Sequence, residues 1–344
     1  MATASREIHL VDYPKGAPTE EIFKTVDAEV PDPKDGEILV RTVWMSVDPY
    51  MRGRMTPGIK SYIPSFQTGE ALDGGAVGQV MEGEAKGLKP GDYVVGFTGG
   101  WKTHFVSNGE GLTKVDPNIA PLSAYLGVLG MPGFTAWAGI ENILKPKSGE
   151  TMFVSGAAGA VGSLVGQIGK MRGCKVIGAA GSDEKCAWLT DELGFDVALN
   201  YKNFETSNDL ARELHSHAPK GIDCYFENVG GIMLEAAISA IAFGGRIALC
   251  GLISVYNDQR LSPGPNNMAN LIGRGVLMRG FIMSEYIDQM PKFFEEIAPA
   301  VASGEVKFKE TVYEGLDQAP EAFAGLFRGD NTGKAVIRVA PDKV

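Results

Sequence analysis

From about residue 125 onward, six strand-length apolar runs alternate with helix-length segments, and no other feature of the chain narrows its fold as much. The runs are TMFVS (Thr151–Ser155), CKVIGAA (Cys174–Ala180), DVALN (Asp196–Asn200), IDCYFEN (Ile222–Asn228), GRIALCG (Gly245–Gly251) and GVLMRGFI (Gly275–Ile282). Between them lie amphipathic stretches such as DEKCAWLTDELG and GIMLEAAISAIA. Apolar strands separated by crossovers predict an α/β architecture: a doubly wound, parallel six-stranded sheet with helices on both faces. The residues before about 125 read differently. EILVRTVWMSV (Glu37–Val47), GGAVGQVMEG (Gly74–Gly83) and GDYVVGF (Gly91–Phe97) are β-rich runs bounded by turn signals, with no long helical period. They predict an all-β, barrel-like unit. The tail, QAPEAFAGLFRG then GKAVIRV, reads as a helix and a strand that rejoin this first unit rather than extend the parallel sheet.

Charge and cysteine content bound the function. Of 344 residues, 32 are Lys or Arg and 42 are Asp or Glu, a net charge of −10. An acidic balance without a Lys/Arg block argues against nucleic acid or an anionic membrane as partner. The opening MATASREIHL has no basic stretch followed by an apolar core, and no apolar run reaches the length of a membrane span, so a cytoplasmic protein is expected. Cys174, Cys186, Cys224 and Cys250 form no C-x-x-C pair and read as reduced, mostly buried thiols.

The first parallel strand runs into VSGAAGAVGSLVGQIGK. Gly156, Gly159 and Gly162 are spaced three apart, with Ala160 and Val161 inside the turn, and a helical pattern follows. Such glycines let the backbone bend sharply and approach a pyrophosphate, which then sits at the helix N-terminus. The spacing alone is also what tight helix–sheet packing selects; its place after the first of six strands favours a phosphate cradle. The end of the second strand discriminates between dinucleotides. An NAD site carries a carboxylate there, whereas this chain has Gly181 and Ser182 at the corner and Lys185 one turn into the next helix. Asp183 and Glu184 read as first-turn residues of a helix capped by Ser182. A missing carboxylate and an available ammonium suit a 2′-phosphate, hence NADP(H); the plainer alternative is that Lys185 is an ordinary solvated helix lysine.

These residues, together with GFDVALNYK, DCYFENVGG, CGLISVYN, NTGKAVI, SVDPYMRGRM and GMPGFTAW, resemble the zinc-independent medium-chain dehydrogenases/reductases. Within that family the chain is similar to the leukotriene B4 12-hydroxydehydrogenase/prostaglandin reductase, alkenal double-bond reductase and curcumin reductase-like group. The resemblance implies a GroES-like β-barrel domain (1–125 with 305–344) into which a Rossmann domain (126–304) is inserted, commonly as a homodimer. It implies that Gly159 and Gly162 hold the pyrophosphate and that Lys185 and Tyr201 meet the 2′-phosphate. It further implies that Asn228, the loop Cys250, Gly251, Leu252, Ile253, Ser254 and Tyr256, then Phe281, Ile282, Met283 and Asn331, line the nicotinamide half, with Thr135 close by. Read from the residues alone, Tyr201 is equally a strand-end aromatic shielding the sheet.

Zinc dehydrogenases need thiolate or imidazole ligands. MSVDPYMRG and QTGEALDGG offer no such set, no cysteine precedes Cys174, and the four histidines (His9, His104, His215, His217) have no zinc-site spacing; no metal is expected. His215 and His217 read as a solvated helix end and His104 as a packed strand residue. Hydride transfer without a Lewis acid suits an α,β-unsaturated carbonyl, in which charge spreads onto an enolate oxygen that needs one hydrogen-bond donor. Tyr256, just past a parallel strand, is the first candidate donor and Tyr50 of DPYMRG the second; either is also readable as a packed aromatic. Arg52 reads as structural, while Met131, Phe134, Met283 and Tyr286 suggest an apolar acceptor pocket, though each alone fits a core. A hydrophobic enone or enal is thus the expected substrate. A quinone oxidoreductase of the same family and an NADPH-binding protein without turnover are the alternatives.

Overall fold

The computed structural model describes residues 2–58, 61–258 and 262–342. The chain divides into two compact units, Met1–Gly127 with Glu310–Val344, and Val128–Lys309. In the first, β1 (Thr3–Leu10) and β2 (Phe23–Val30) form an antiparallel pair. Next come β3 (Ile38–Ser46), a one-turn helix α1 (Met51–Arg54), β4 (Ala76–Gly83), β5 (Tyr93–Gly96), β6 (His104–Ser107) and β7 (Thr113–Val115). β3 pairs antiparallel with both β4 and β6, and every residue along it but Arg41 is buried. β3 buries Ile38 and Val40 in one core and Met45 in another, and a strand buried on both faces shows an almost unbroken apolar run instead of alternation.

The second unit starts with α2 (Met131–Gly139) and continues β8 (Thr151–Val154), α3 (Gly162–Met171), β9 (Lys175–Ala180), α4 (Asp183–Asp191), β10 (Val197–Asn200) and α5 (Ser207–His217). It closes with β11 (Ile222–Glu227), α6 (Ile232–Ala240), β12 (Ile241–Leu249), α7 (Ala269–Arg274), β13 (Leu277–Gly280) and α8 (Met290–Ala302). The sheet order is β10-β9-β8-β11-β12-β13, every pair parallel. This is the doubly wound Rossmann order, with its reversal between β8 and β11. Phe195 locks α3 onto the sheet: a Cβ on Gly166 would lie 1.9 Å from its ring and one on Gly178 2.8 Å, so both positions must be glycine. β12 begins earlier than the GRIALCG run predicts, because its pairing with β11 jumps from Ile222↔Ile241 to Cys224↔Arg246. The extra residues include Gly244 at φ +71°, a bulge conformation that glycine adopts without strain.

The chain then returns to the first unit with β14 (Glu310–Glu314), α9 (Ala319–Arg328) and β15 (Lys334–Arg338). β15 pairs antiparallel with β3 and parallel with β14, as the reading of the tail anticipated. α9 buries Ala319, Ala322 and Phe323 in one core with Ile8, Leu10, Met45 and Trp101. Trp101 stacks on Phe23 and meets Phe323 edge-on, which fixes the tail against the N-terminal strands.

Candidate functional site

Open parallel sheets bind ligands beyond the carboxyl ends of their strands, at the reversal of strand order, and here that point is the end of β8 and β11. β8 leads into a turn in which Gly156 sits at φ +57° and Ala157 N–H donates to the Ala179 carbonyl (2.9 Å), tying the turn to β9. A Cβ on Gly162 would lie 2.4 Å from the Gly156 carbonyl oxygen, so the turn cannot close with any larger residue there. Gly159 differs: among the described residues a Cβ on it would meet only the Gly156 carbonyl oxygen, at 3.2 Å. Interior packing therefore demands Gly162 far more than Gly159, whereas an anion approaching the backbone closely would demand Gly159. Ala160 and Val161 lead into α3, whose first turn has no side-chain cap. Its amide dipoles are the ones a pyrophosphate would take.

The second corner is built by β9, α4 and the start of the segment after β10. Ser182 caps α4, its hydroxyl accepting the Lys185 N–H (3.3 Å), and Asp183 and Glu184 occupy the first turn as expected. Asp183 accepts from the Asn200 side-chain amide (2.7 Å). A Cβ on Gly181 would lie 3.0 Å from the Tyr201 hydroxyl, so the glycine lets the tyrosine reach over the end of β9. Gly181, Ser182, Lys185 and Tyr201 thus come from elements that meet at one corner. A hydroxyl, a phenol and an ammonium fit a phosphate monoester better than a ribose diol, which asks for a carboxylate.

The third group hangs on the end of β11. The Asn228 amide donates to the Ser155 carbonyl (2.7 Å), and the loop after β12 is fastened to the same turn. Cys250 and Gly251 N–H donate to the Glu227 carbonyl, Ile253 N–H to Asn228, and Ser254 N–H and Oγ to Val229. Leu252 N–H donates to the Tyr256 hydroxyl (3.2 Å), and a Cβ on Gly251 would lie 3.1 Å from that same oxygen. Tyr256 is therefore folded back over its own loop at the strand end. Burial, then Glu227, pushes the Cys250 thiol up to about 12, so it stays a neutral thiol. Thr135 is buried in α2 and donates to the Met131 carbonyl (2.7 Å), leaving its oxygen to accept. Phe281 turns its ring into the core, edge-on to Phe226, so only its backbone and its neighbours Ile282 and Met283 can face a ligand.

Sequence reasoning passed over the centre of this group. Glu227 is fully buried; its carboxylate accepts from Ser155 Oγ (2.7 Å), Tyr225 OH (2.7 Å) and Val229 N–H (2.5 Å). The signal was present: a charged residue closing an otherwise apolar strand. One pocket suggestion is corrected. Phe134 has no exposure and is packed between Trp137 and Phe293, so it is core. Tyr286, by contrast, has a buried hydroxyl with no hydrogen-bond partner among the described residues.

In the first unit, Tyr50 precedes α1, and burial, reinforced by Asp48, raises its hydroxyl far above the ordinary phenol range. Asn331 donates to the Gly333 carbonyl within the turn before β15. Arg52 is structural, donating to the carbonyls of Gly16 and Pro14 and to Thr56. His217 pairs with Glu213 at the end of α5, and His104 lies on β6 against Thr103.

Two family models match, one described as the N-terminal domain of oxidoreductase (residues 6–115) and one as zinc-binding dehydrogenase (residues 160–299). Among the described residues, no three His, Cys, Asp or Glu side chains are grouped so as to hold a metal ion. Prostaglandin reductase 1 of Bos taurus is 44% identical over 96% of each chain. The NADP(+)-dependent 2-alkenal reductase of Nicotiana tabacum is 42% identical over 96% of this chain and 95% of its own. The crystal structure of CurA in complex with NADPH from Vibrio vulnificus superposes with a TM-score of 0.90 at 42% identity, covering 98% of this chain and 99% of that one.

Proposed function

The chain belongs to the zinc-independent medium-chain dehydrogenases/reductases, and from that premise we propose that it reduces the carbon–carbon double bond of α,β-unsaturated ketones and aldehydes with NADPH and without a metal. The observation that carries this reading is the pairing of two strand-end features in one unit. One is a glycine turn after β8, beside a corner where Asp183 is already bonded to Asn200; the other is a phenol held back over the neighbouring loop. NADPH, when bound, supplies the hydride.

The remaining chemistry falls to side chains of this chain. The turn Gly156–Gly162 and the amides of α3 take the pyrophosphate, while Ser182, Lys185 and Tyr201 take the 2′-phosphate. Asn228, the backbone of 250–254, Thr135, the 281–283 stretch and Asn331 orient the nicotinamide half. Tyr256 donates to the carbonyl oxygen on which enolate charge develops after attack at the β-carbon, and a proton then reaches the α-carbon. Because the Tyr256 oxygen accepts the Leu252 N–H, its own O–H is polarised toward donation. Tyr50 is the second donor candidate; its raised titration keeps its proton in place at neutral pH. On this reading residues 126–304 form the NADP-binding domain, and residues 1–125 with 305–344 form the GroES-like substrate domain. The enzyme acts in the cytoplasm as a homodimer, without nucleic acid or membrane.

The test is steady-state NADPH oxidation with a 2-alkenal and with a benzoquinone, with the saturated aldehyde identified as product. Faster turnover of the 2-alkenal supports the reading. Preference for the quinone makes the chain a quinone oxidoreductase, and NADPH binding without oxidation across an enone panel makes it a binding protein.

A further inference from the structure

We infer that Glu227 is the positioning residue for the nicotinamide half of the site, its carboxylate clamping the turn from which the Tyr256 loop hangs. The inference rests on the reading above that this loop borders the nicotinamide.

An unexposed carboxylate at the end of a core strand is costly, and an apolar side chain of similar size would serve packing better. No cation balances it among the groups that contact it; its partners are neutral donors. Ser155 Oγ and Val229 N–H bind one oxygen and Tyr225 OH the other. Burial raises the carboxyl above its ordinary range while these bonds pull it down. Each donor leads to a different part of the site. Ser155 immediately precedes the glycine turn, and its Oγ also accepts the Asn228 N–H (2.9 Å). Tyr225 is itself unexposed and stacks on Phe153 at 5.0 Å, so it is a donor fixed by the core. Val229 carries the carbonyl that holds both the N–H and the hydroxyl of Ser254. The carbonyls of residues 227, 228 and 229 together receive the 250–254 backbone. A clamp that stops this turn from rotating therefore fixes the loop, and through Leu252 the phenol of Tyr256. The adenosine corner at Ser182 and Tyr201 lies on other elements, and among the described residues no hydrogen bond joins it to this network.

That separation gives the test a readout that general weakening of the fold does not move. In the full chain, Glu227→Gln replaces one acceptor oxygen by an amide donor facing donors. It is expected to weaken NADPH binding and lower kcat with a 2-alkenal by roughly tenfold or more each, the scale of one unsatisfied buried group. Affinity for adenosine 2′,5′-bisphosphate, which probes the adenosine half alone, stays within about twofold on the same reasoning. Tyr225→Phe and Ser155→Ala shift NADPH binding in the same direction by less, and they decide the question if Glu227→Gln does not fold. Parallel loss of NADPH and adenosine 2′,5′-bisphosphate would overturn the inference, as would folded variants with unchanged NADPH affinity. Should the wild-type protein reduce no enone, the functional reading fails, while the comparison of the two nucleotides still judges Glu227.

Discussion

At the end of β9 the choice between two dinucleotides comes down to side chains within one helical turn. Asp183, next to the corner, is bonded to Asn200, and Ser182 caps α4. On the proposed reading, the ammonium of Lys185 adds a charge-assisted bond to a 2′-phosphate that a ribose diol would not receive. Lys185→Glu is expected to weaken NADPH by about 10- to 100-fold, the range of a hydrogen bond to a charged group, and NADH by far less. Titration of both nucleotides by fluorescence checks it, and equal losses would remove the assignment. Tyr256→Phe keeps the ring but deletes the donor. It is expected to lower kcat by about 10- to 100-fold with NADPH affinity retained, as for loss of one oxyanion donor. Unchanged turnover would hand the role to the cofactor ribose or to water. The sequence suggested both side chains because polar residues at strand ends stand out against apolar runs. Glu227 closes such a run too, yet its meaning depends on Ser155, 72 positions away, across the β8–β11 pairing. Only the register of that pairing brings the two together, and periodicity does not encode register.

Among elements, those whose residues answer to one physical demand were readable in place. Parallel strands buried on both faces read as continuous apolar runs, and all six lie within a few residues of the expected spans. The tail strand β15 pairs with β3 of the first unit. The failures share a cause. The early start of β12 depends on a bulge, whose extra residues cost the strand pattern nothing that a sequence displays. Phe134 looked like a pocket residue because it lies beside site motifs, but α2 turns it toward Phe293 of α8, an element more than 150 residues on. Glycine was ambiguous for the same reason. Gly166 serves Phe195, Gly162 serves the turn, and Gly159 is the least crowded of these three, a Cβ there meeting only the Gly156 carbonyl oxygen among the described residues. The spacing alone gave all three the same weight.

For the molecule as a whole, β13 leaves one edge of the parallel sheet unpaired among the described residues. β13 is the terminal strand of that sheet, and Leu277 on it is half exposed. The preceding α7 leaves Ile272 exposed at 86%, and Met268 just before it is exposed as well. An unpaired strand with apolar neighbours is normally blunted by charge, proline or a covering element. Arg279 is the one charged residue of β13, and it is engaged by Glu285. On the proposed homodimer reading a second copy covers it: two β13 strands paired about a two-fold axis satisfy both edges at once and bury the same apolar residues from each chain. Charge makes this reading testable. Two chains of −10 repel, and salt screens that repulsion without weakening backbone pairing or apolar burial. Light scattering is therefore expected to give twice the chain mass of 36.6 kDa, with the dimer unchanged or tighter as salt rises. Leu277→Lys places like charges at the axis and is expected to raise the dissociation constant by at least about tenfold, as for an interface anchor. A monomer at micromolar concentration, or a dimer that salt dissolves and Leu277→Lys leaves intact, would move the contact away from this edge.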